Sequence, residues 1–368
     1  MFVENKIGQL FIIGISGTTL REDEAEFIVK NNIGGIILFD RNIESPEQLH
    51  ALCASINALK EKTPEKLPPF ISIDMEGGRV ARLKKPFTTW PPLKQLGNID
   101  STSLAFNFAM AMGEELSAMG INLDYAPCTD VLTNPKNEII GDRAISTDPE
   151  QVSKIASALV RGYIKGNVIP CAKHFPGHGN TLLDSHFDLP VEDDVDLETL
   201  KNRELVPFKK VFRARLDMVM TAHILYPKVD KDNPATFSSI ILKDLLRDDL
   251  KYRGLVISDD LDMKAIRNHH EVADIPIKAL NAGCDILLYC NEPTSPMIAM
   301  DAIKKALANN ELNTDELMES YQRVIKVKQN KLASLKQLPL DEALSFVGKV
   351  EHKELSSAIA EGRVPEEP

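Results

Sequence analysis

The sequence predicts an α/β fold, a single (β/α)8 barrel of the TIM type with a short C-terminal helical tail. Eight short apolar runs recur along the chain, and most are continuously hydrophobic rather than alternating, as is typical of parallel strands covered on both faces. Between them lie stretches with helical periodicity, long enough for crossover connections. No linker interrupts this alternation, and eight strands in one series favour a closed barrel over a doubly wound open sheet.

The predicted elements alternate in chain order. We expect strands at residues 10–14, 35–39, 70–74, 122–126, 169–173, 218–222, 255–259 and 285–289. We expect helices at residues 46–60, 102–119, 207–215, 238–246, 272–282, 296–307 and 313–329, with Ser45 as the N-cap of the first. Two connections, 76–101 and 128–150, are long, and long loops in a compact barrel are usually functional. Residues 1–331 are therefore expected to form the barrel domain, and residues 332–368 a tail with one helix at 351–361 and no second domain.

Composition narrows the class of protein. The 368 residues include 43 Lys and Arg against 54 Asp and Glu, a net charge of −11, which argues against nucleic acid or an anionic membrane as the main partner. Glu4 and Lys6 come too early for a signal peptide, and no apolar stretch approaches the roughly 20 residues that cross a bilayer. The five cysteines are scattered, with no CxxC, which favours a reducing compartment. We expect a cytoplasmic, monomeric enzyme.

Charged and imidazole side chains stand where several predicted strands end. In a barrel of this type, the carboxyl ends of the strands line the active site, and the opposite ends serve stability. The residues at these ends are Asp74, Lys173, His174, His223, Asp259 and Asp260, and the fourth strand runs into residues 128–130. Each alone is compatible with a satisfied buried polar group, but together on one rim they predict an active site, which makes residues 1–331 a catalytic barrel.

The densest polar segment follows the fifth strand. It reads Lys-His-Phe-Pro-Gly-His-Gly over residues 173–179, and its proline and glycines predict a loop in which the backbone approaches a ligand closely. A metal site at His174 and His178 is one interpretation, but the Pro-Gly between them prevents the helix that such spacing requires, and no Cys or Glu completes a ligand set. A phosphate-binding loop is another, but it lacks a Gly-Lys-Ser/Thr sequence.

Acid/base catalysis by Asp184 and His186 is the interpretation we favour for the continuation of this loop. Two residues apart on an extended stretch, their side chains point to the same side. A carboxylate that orients an imidazole and supports its charge is a recurring device for proton transfer near neutral pH. A surface Asp-x-His hydrogen bond without function is the alternative.

Two further carboxylates suggest chemistry on a sugar. Asp259 is the first charge after a buried run and would be aimed into the barrel mouth, which suits covalent attack on an electrophilic carbon; metal ligation is the competing use. Asp74 with Arg82 is suited to vicinal hydroxyls, because the carboxylate accepts and the guanidinium donates. Arg143 and Lys173 add donors, whereas Arg79 is assigned to a local ion pair with Glu76 or Asp74.

These motifs resemble one family. Residues 74–82 (DMEGGRVAR), 141–143 (GDR), 173–179 (KHFPGHG), 184–186 (DSH) and 258–259 (SD) are similar to the glycoside hydrolase family 3 β-N-acetylglucosaminidases of bacterial peptidoglycan recycling. The resemblance covers about residues 5 to 330, and the 173–179 loop is its most specific element. Met75 departs from it, since Gln is frequent at that position in the family.

The resemblance implies roles for the residues that match. Asp259 would be the nucleophile, and Asp184 with His186 the acid/base dyad. The implied ligands of the N-acetylglucosamine in the −1 subsite are Asp74, Arg82, Arg143, Lys173 and His174, with His223 as a further neighbour. The implied activity is that of a retaining exo-β-N-acetylglucosaminidase, acting on muropeptides such as GlcNAc-anhydroMurNAc in cell-wall recycling, and no metal or organic cofactor is expected.

Other functions stay open at this point. A broad-specificity family 3 β-glucosidase/N-acetylglucosaminidase would use the same residues, and a β-N-acetylglucosaminide phosphorylase would replace water by phosphate. A Schiff-base lyase would use Lys173 at its strand end but has no part for Asp184 and His186. A sugar-binding protein without catalysis would need neither nucleophile nor acid/base.

Overall fold

The computed structural model describes residues 4–185 and 187–364, and a ring of eight parallel strands forms the centre of the fold. We number the barrel strands in chain order: β1 Phe11–Gly14, β2 Gly35–Leu38, β3 Phe70–Ile73, β4 Leu123–Asp124, β5 Ile169–Phe175, β6 Met218–Thr221, β7 Leu255–Ile257 and β8 Leu287–Tyr289. Each strand from β1 to β6 pairs with its successor, and β8 pairs with β1 in the register Phe11 to Leu287. A bridge from Ile257 to Ile286 joins β7 to the start of β8, so the predicted barrel is confirmed.

The strands are continuous apolar runs because both of their faces are covered. All four residues of β2, β3 and β6 are buried, and so are all seven of β5. The prediction ended the fifth strand at Lys173, which is wrong, since β5 continues to Phe175. Lys173 and His174 therefore lie within a buried strand rather than in the loop that follows it.

Helices surround the ring of strands. The α-helices are α1 Glu22–Asn31, α2 Pro46–Ala58, α3 Leu93–Ile99, α4 Thr102–Ala118, α5 Pro149–Lys165, α6 Leu197–Asn202, α7 Leu205–Arg213, α8 Lys264–Arg267, α9 Ile275–Ala282, α10 Ser295–Ala308, α11 Thr314–Lys331, α12 Leu340–Leu344 and α13 Val350–Ala360. Short 3-10 helices cover Glu4–Leu10, Asp40–Asn42, Leu59–Lys62, Gly141–Arg143 and Ala235–Phe237. Within the described part of the chain, we find no helix with the length and apolar content that a membrane crossing requires.

Several helices differ from the prediction, and three of the differences concern the 238–246 segment, α1 and α3. The segment expected as an α-helix at 238–246 is a π-helix, Ile240–Asp249. Helix α1 was not predicted because its apolar face is thin: Ile28 is its one buried residue, and its first turn is Glu22, Asp23 and Glu24. Helix α3 lies inside the long 76–101 connection, which therefore has structure of its own.

The tail returns to the barrel near the long 76–101 connection. Helix α13 packs against α3 and α4, and Ser356 Oγ donates to the carbonyl oxygen of Thr89 at 2.5 Å. The carboxylate of Glu115 in α4 accepts from the backbone N–H groups of Thr88 at 3.1 Å and Gly348 at 2.6 Å. Trp90, the one tryptophan in the sequence, is buried between these segments.

Candidate active site

A cavity of about 240 Å³ opens at the carboxyl ends of the barrel strands. Six of the sequence-predicted site residues line it: Asp74, Arg82, Arg143, Lys173, His174 and Asp259. Asp74, Lys173 and Asp259 are 99 and 86 residues apart in sequence, and only the closure of the barrel places them on one rim. The apolar side chains of Met220, Met263 and Leu288 complete its walls.

A buried ion network forms one side of the cavity. Lys173 Nζ lies 2.6 Å from Asp74 Oδ1 and 2.7 Å from Glu76 Oε1. Arg143 binds the same Glu76 in bidentate fashion, with Nε donating at 2.9 Å and Nη2 at 2.8 Å. A hairpin of two short strands, Met75–Gly77 and Val80–Ala81, carries Glu76 into this position.

The network keeps Glu76 and Lys173 ionised. Burial by itself raises the pKa of Glu76, but the charges of Arg143 and Lys173 hold that pKa well below its usual range. Burial lowers the pKa of Lys173, and the nearby Asp74 and Glu76 outweigh this effect and raise it. A charged Lys173 argues against the Schiff-base lyase, because imine formation needs the neutral amine.

A second carboxylate fixes the imidazole of His174. Asp130 Oδ2 lies 2.8 Å from His174 Nδ1, and Asp130 also accepts the backbone N–H groups of His174 at 3.2 Å and His178 at 2.7 Å. Burial raises the pKa of Asp130, but the two histidines and the backbone N–H hold it at about 2. An ionised Asp130 can only accept, so we assign the hydrogen of His174 to Nδ1, which leaves Nε2, at 3.5 Å from Arg143 Nη2, on the cavity side.

His174 and His178 do come together, although no helix connects them. Their ring centroids are 5.5 Å apart, and His178 Nδ1 contacts Thr181 Oγ1 at 2.8 Å. Burial and the neighbouring His174 lower the pKa of His178 to about 4, so it is neutral at pH 7. Over residues 4–185 and 187–364, no group of three or more His, Cys, Asp or Glu side chains is arranged to hold a metal ion.

Asp259 lies two residues beyond β7 and is partly exposed to the cavity. The backbone N–H of Asp260 donates to its Oδ1 at 2.8 Å. Burial raises the pKa of Asp259, but His223, His174, this N–H group and Lys173 together bring it below its ordinary value. Asp259 is therefore an ionised carboxylate at neutral pH, the form that a nucleophile requires.

The pKa of Asp260, the next residue, is raised rather than lowered. Its Oδ1 accepts the backbone N–H groups of Asp262 and Cys290, each at 3.1 Å. Burial, with the charges of Asp262 and Asp259, raises the pKa of Asp260 to about 7. Two adjacent carboxylates thus differ in ionisation because of their surroundings.

Arg82 and Arg79 have different partners, although they are three residues apart. Arg82 Nη2 lies 3.8 Å from Asp74 Oδ2, and the predicted sugar contacts of these two side chains stay predictions. The predicted pairing of Arg79 with Glu76 or Asp74 is wrong: its Nε lies 3.2 Å from Asp142 Oδ1. The turn through Gly77 and Gly78, with φ of 95° and 57°, separates Arg79 from the cavity side of the hairpin.

The predicted acid/base dyad is described only in part. His186 lies outside the described residues, and its assignment stays a prediction. The carbonyl oxygen of Asp184 accepts the N–H groups of Phe187 at 2.9 Å and Asp188 at 3.2 Å. Ser185 lines the cavity, and its carbonyl oxygen accepts the N–H of Ala265 at 3.1 Å, so Ser185 lies at the rim.

His223 is more deeply buried than a direct sugar ligand needs to be, at 1% exposure. Its Nδ1 contacts Thr236 Oγ1 at 2.7 Å, and its Nε2 contacts the carbonyl oxygen of Asp260 at 3.0 Å. The predicted contact between His223 and the sugar stays a prediction, and the observed contacts connect this residue to the main chain beside Asp259.

Sequence reasoning missed the roles of Glu76, Asp130 and Asp260. Glu76 was assigned a local partner, whereas it binds Arg143, 67 residues away. Asp130 stands in the segment into which the fourth predicted strand runs, and its position beside the fifth strand was the signal that it faces His174. Asp260 was grouped with Asp259 because nothing in the sequence distinguishes their surroundings.

The chain is similar in sequence to known proteins. The family model "Glycosyl hydrolase family 3 N terminal domain" matches residues 2–327. A β-hexosaminidase of Nitrosomonas eutropha is 39% identical over 290 residues, which cover 77% of this chain and 81% of that protein.

Solved structures agree with the sequence match. NagZ from Neisseria gonorrhoeae superposes with a TM-score of 0.79 and 32% identity, over 97% of this chain and 98% of that one. A fungal multi-domain family 3 β-N-acetylglucosaminidase gives a TM-score of 0.92 and 36% identity over 97% of this chain. This chain spans 42% of the length of the fungal protein.

Proposed function

The chain belongs to glycosyl hydrolase family 3, and from this premise we propose that it is a β-N-acetylhexosaminidase, specifically a retaining exo-β-N-acetylglucosaminidase. One observation carries this proposal: an ionised Asp259 lines the same small cavity as the Asp74–Lys173–Glu76–Arg143 network. The network supplies acceptors and donors for sugar hydroxyls, and the carboxylate supplies the nucleophile. A cavity of about 240 Å³ suits the removal of one terminal sugar at a time.

The reaction would proceed in two steps. The Asp259 carboxylate attacks the anomeric carbon through an oxocarbenium-like transition state and forms a glycosyl ester, while the bond to the leaving oxygen breaks. His186, oriented by Asp184, donates its proton to that oxygen. His186 then takes a proton from water as the water attacks the ester carbon, which releases the sugar and regenerates Asp259. A histidine suits this role because its ordinary pKa is ~6.5.

The sugar would be held by groups that the ion network orients in advance. Asp74 would accept from hydroxyls, whereas Arg82, Arg143 and Lys173 would donate to them. His174, with Nε2 toward the cavity, would accept a hydroxyl hydrogen. Preorganised partners of this kind lower the cost of binding, because few side chains must be ordered when the sugar arrives.

Covalent trapping tests the nucleophile. We expect incubation with a 5-fluoro β-N-acetylglucosaminyl fluoride, followed by proteolysis and mass spectrometry, to label the peptide that contains Asp259. Labelling of another residue, or hydrolysis of p-nitrophenyl β-N-acetylglucosaminide without any trapped ester, would contradict the assignment. A parallel reaction with inorganic phosphate that yields a sugar 1-phosphate would identify a phosphorylase instead.

Leaving-group dependence tests the acid/base dyad. His186→Ala is expected to slow substrates with alkoxide-like leaving groups by at least about 100-fold more than activated aryl substrates, since only the former need protonation. Asp188→Asn is the matched control: it alters an exposed carboxylate of the same loop, whose Oδ1 pairs with His269 at 2.7 Å, and should change neither rate. Equal losses on both substrate types in His186→Ala would exclude it as the general acid.

We also propose muropeptides such as GlcNAc-anhydroMurNAc as the natural substrates, released and degraded inside the cell during cell-wall recycling. The five cysteines are all buried and unpaired, as is common in a reducing compartment. A kcat/KM at least about tenfold higher for GlcNAc-anhydroMurNAc than for N,N′-diacetylchitobiose would support this substrate. The reverse preference would favour a broad β-N-acetylglucosaminidase.

A further inference from the structure

A chain of hydrogen bonds connects the end of β6 to Asp259. His223 stands two residues beyond β6, and its Nε2 lies 3.0 Å from the carbonyl oxygen of Asp260. The N–H of that same Asp260 donates to Asp259 Oδ1 at 2.8 Å. The residue that holds the carboxylate is therefore itself held by the imidazole.

The hydrogen of His223 can be placed by elimination. A carbonyl oxygen only accepts, so Nε2 must carry a hydrogen. Nδ1 lies 2.7 Å from Thr236 Oγ1, which also lies 3.0 Å from the carbonyl oxygen of Ala222 and 2.9 Å from Thr221 Oγ1. Thr236 has a single hydroxyl hydrogen, so either it donates to Nδ1 of a neutral ring, or it donates to Ala222 or Thr221 and a protonated ring donates to it.

In both arrangements, the contact between His223 and the Asp260 carbonyl is kept, and Thr236 orients the ring. The side chains behind Asp259 in this chain are buried: His223 is 1% exposed, and Thr221 and Thr236 are fully buried. Buried hydrogen bonds have fixed geometry, because an alternative position would leave a polar group without a partner.

We propose that His223 is a positioning residue that holds the main chain of Asp260 and thereby sets the aim of the Asp259 carboxylate, rather than a ligand of the sugar. Thr236 acts one step further out by fixing the imidazole. This role presupposes that Asp259 is the nucleophile of the proposed function. Replacement of His223 should therefore lower the rate of the covalent step with little change in sugar affinity. Displacing the nucleophile by about 1 Å lowers the rate on the order of 100-fold.

The test compares His223→Leu with His223→Gln. Leucine removes both hydrogen bonds, whereas glutamine retains an N–H that can reach the Asp260 carbonyl. We expect His223→Leu to lower kcat for p-nitrophenyl β-N-acetylglucosaminide about 100-fold with KM within threefold, and His223→Gln to restore activity to within about tenfold of the wild type. If His223 were a ligand of the sugar, its substitution would instead raise KM and the inhibition constant of N-acetylglucosamine. That result would overturn the positioning role.

Thr236→Val keeps the inference testable if His223→Leu does not fold. It leaves the Nε2 contact and removes the Nδ1 partner, so we expect kcat to fall about tenfold with an unchanged KM. Fluorescence of Trp90, the single tryptophan, monitors folding of each variant by urea titration. A Thr236→Val variant with wild-type kcat would count against the inference.

Trapping with the 5-fluoro donor separates failure of this inference from failure of the proposed function. If the wild-type protein is labelled at a residue other than Asp259, the proposed function fails. If Asp259 is labelled in the wild type, and in His223→Leu at the same rate, the nucleophile stands and the positioning role is wrong. Slow labelling at Asp259 in His223→Leu supports both.

Discussion

The two sides of the cavity treat their carboxylates in opposite ways. On the side of β3 to β5, Asp74 and Glu76 lie within 2.7 Å of Lys173, and Glu76 is also bound by Arg143. On the side of β7, no lysine or arginine of the described residues forms a salt bridge with Asp259 or Asp260. Backbone N–H groups contact these two carboxylates instead.

This difference is consistent with sugar binding on one side of the cavity and the chemical step on the other. A carboxylate that accepts from two cations is rigid and weakly nucleophilic, since its oxygen lone pairs are engaged, which suits recognition of hydroxyls. A carboxylate that accepts one backbone N–H is oriented but keeps lone pairs free for attack on carbon. The first side therefore supports the proposed sugar contacts, and the second supports the proposed nucleophile.

The largest effect is expected where the comparison is most direct, between Asp259 and its neighbour. Asp259→Asn should lower kcat at least about 1,000-fold, because an amide does not form the glycosyl ester, while N-acetylglucosamine still binds. Asp260→Asn is the matched substitution at the next residue. Its loss of kcat should be at least about tenfold smaller than that of Asp259→Asn, because an amide oxygen can still accept from the N–H groups of Asp262 and Cys290. Steady-state kinetics and competition binding measure both. Equal losses in the two variants would contradict the assignment of Asp259.

The next effect concerns the ion network. Glu76→Gln removes the charge that Arg143 and Lys173 share, so two buried cations lose their common counter-ion. We expect the free energy of unfolding to fall by about 3 kcal/mol and KM to rise, whereas kcat changes less than in Asp259→Asn. Urea denaturation followed by tryptophan fluorescence gives the first quantity, and initial rates give the others. Wild-type stability in this variant would mean that Glu76 is not the centre of the network.

The smallest expected effect is a pH dependence of the free energy of unfolding, which arises from the titration of Asp260. Its raised pKa of about 7 means that the folded protein keeps a proton which the unfolded chain releases near pH 4. The folded state thus binds more protons between pH 4 and 7, so stability falls as the pH rises through this window.

Measured from pH 5 to pH 7, the free energy of unfolding of the wild type should fall by about 2 kcal/mol relative to Asp260→Asn. Urea titrations of both proteins at several pH values give this difference, and other titrating groups cancel in it. A difference that does not depend on pH would show that Asp260 is ionised throughout, and the contrast with Asp259 would disappear.

Much of the barrel follows from local sequence patterns, and each exception has an identifiable physical cause. Continuous apolar runs predicted all eight strands, because strands buried on both faces need apolar side chains at every position. Lys173 and His174 interrupted that pattern and led to an early end for β5, since ion pairs that compensate a buried charge are invisible in one segment. Helix α1 was missed because it buries so few of its residues.

Some features of the candidate site were likewise predictable from the sequence, and others were not. The position of Asp259 after β7 and of Asp74 after β3 was sufficient to predict that both lie at the barrel mouth. The partner of Glu76 was not predictable, because the Arg143 side chain reaches it across 67 residues of intervening chain. The segment with Asp184 was predicted to reach the site, and its neighbour Ser185 lines the cavity.

Periodicity and residue type are local properties, and from them follow the order of strands and helices, the rim at which the polar residues gather, and the family that the motifs resemble. Ionisation and hydrogen-bond partners are not local, because each depends on charges and N–H groups that other strands bring within a few ångströms. Asp259 and Asp260 are chemically identical in the sequence, and the barrel makes one an ionised carboxylate and raises the pKa of the other to about 7.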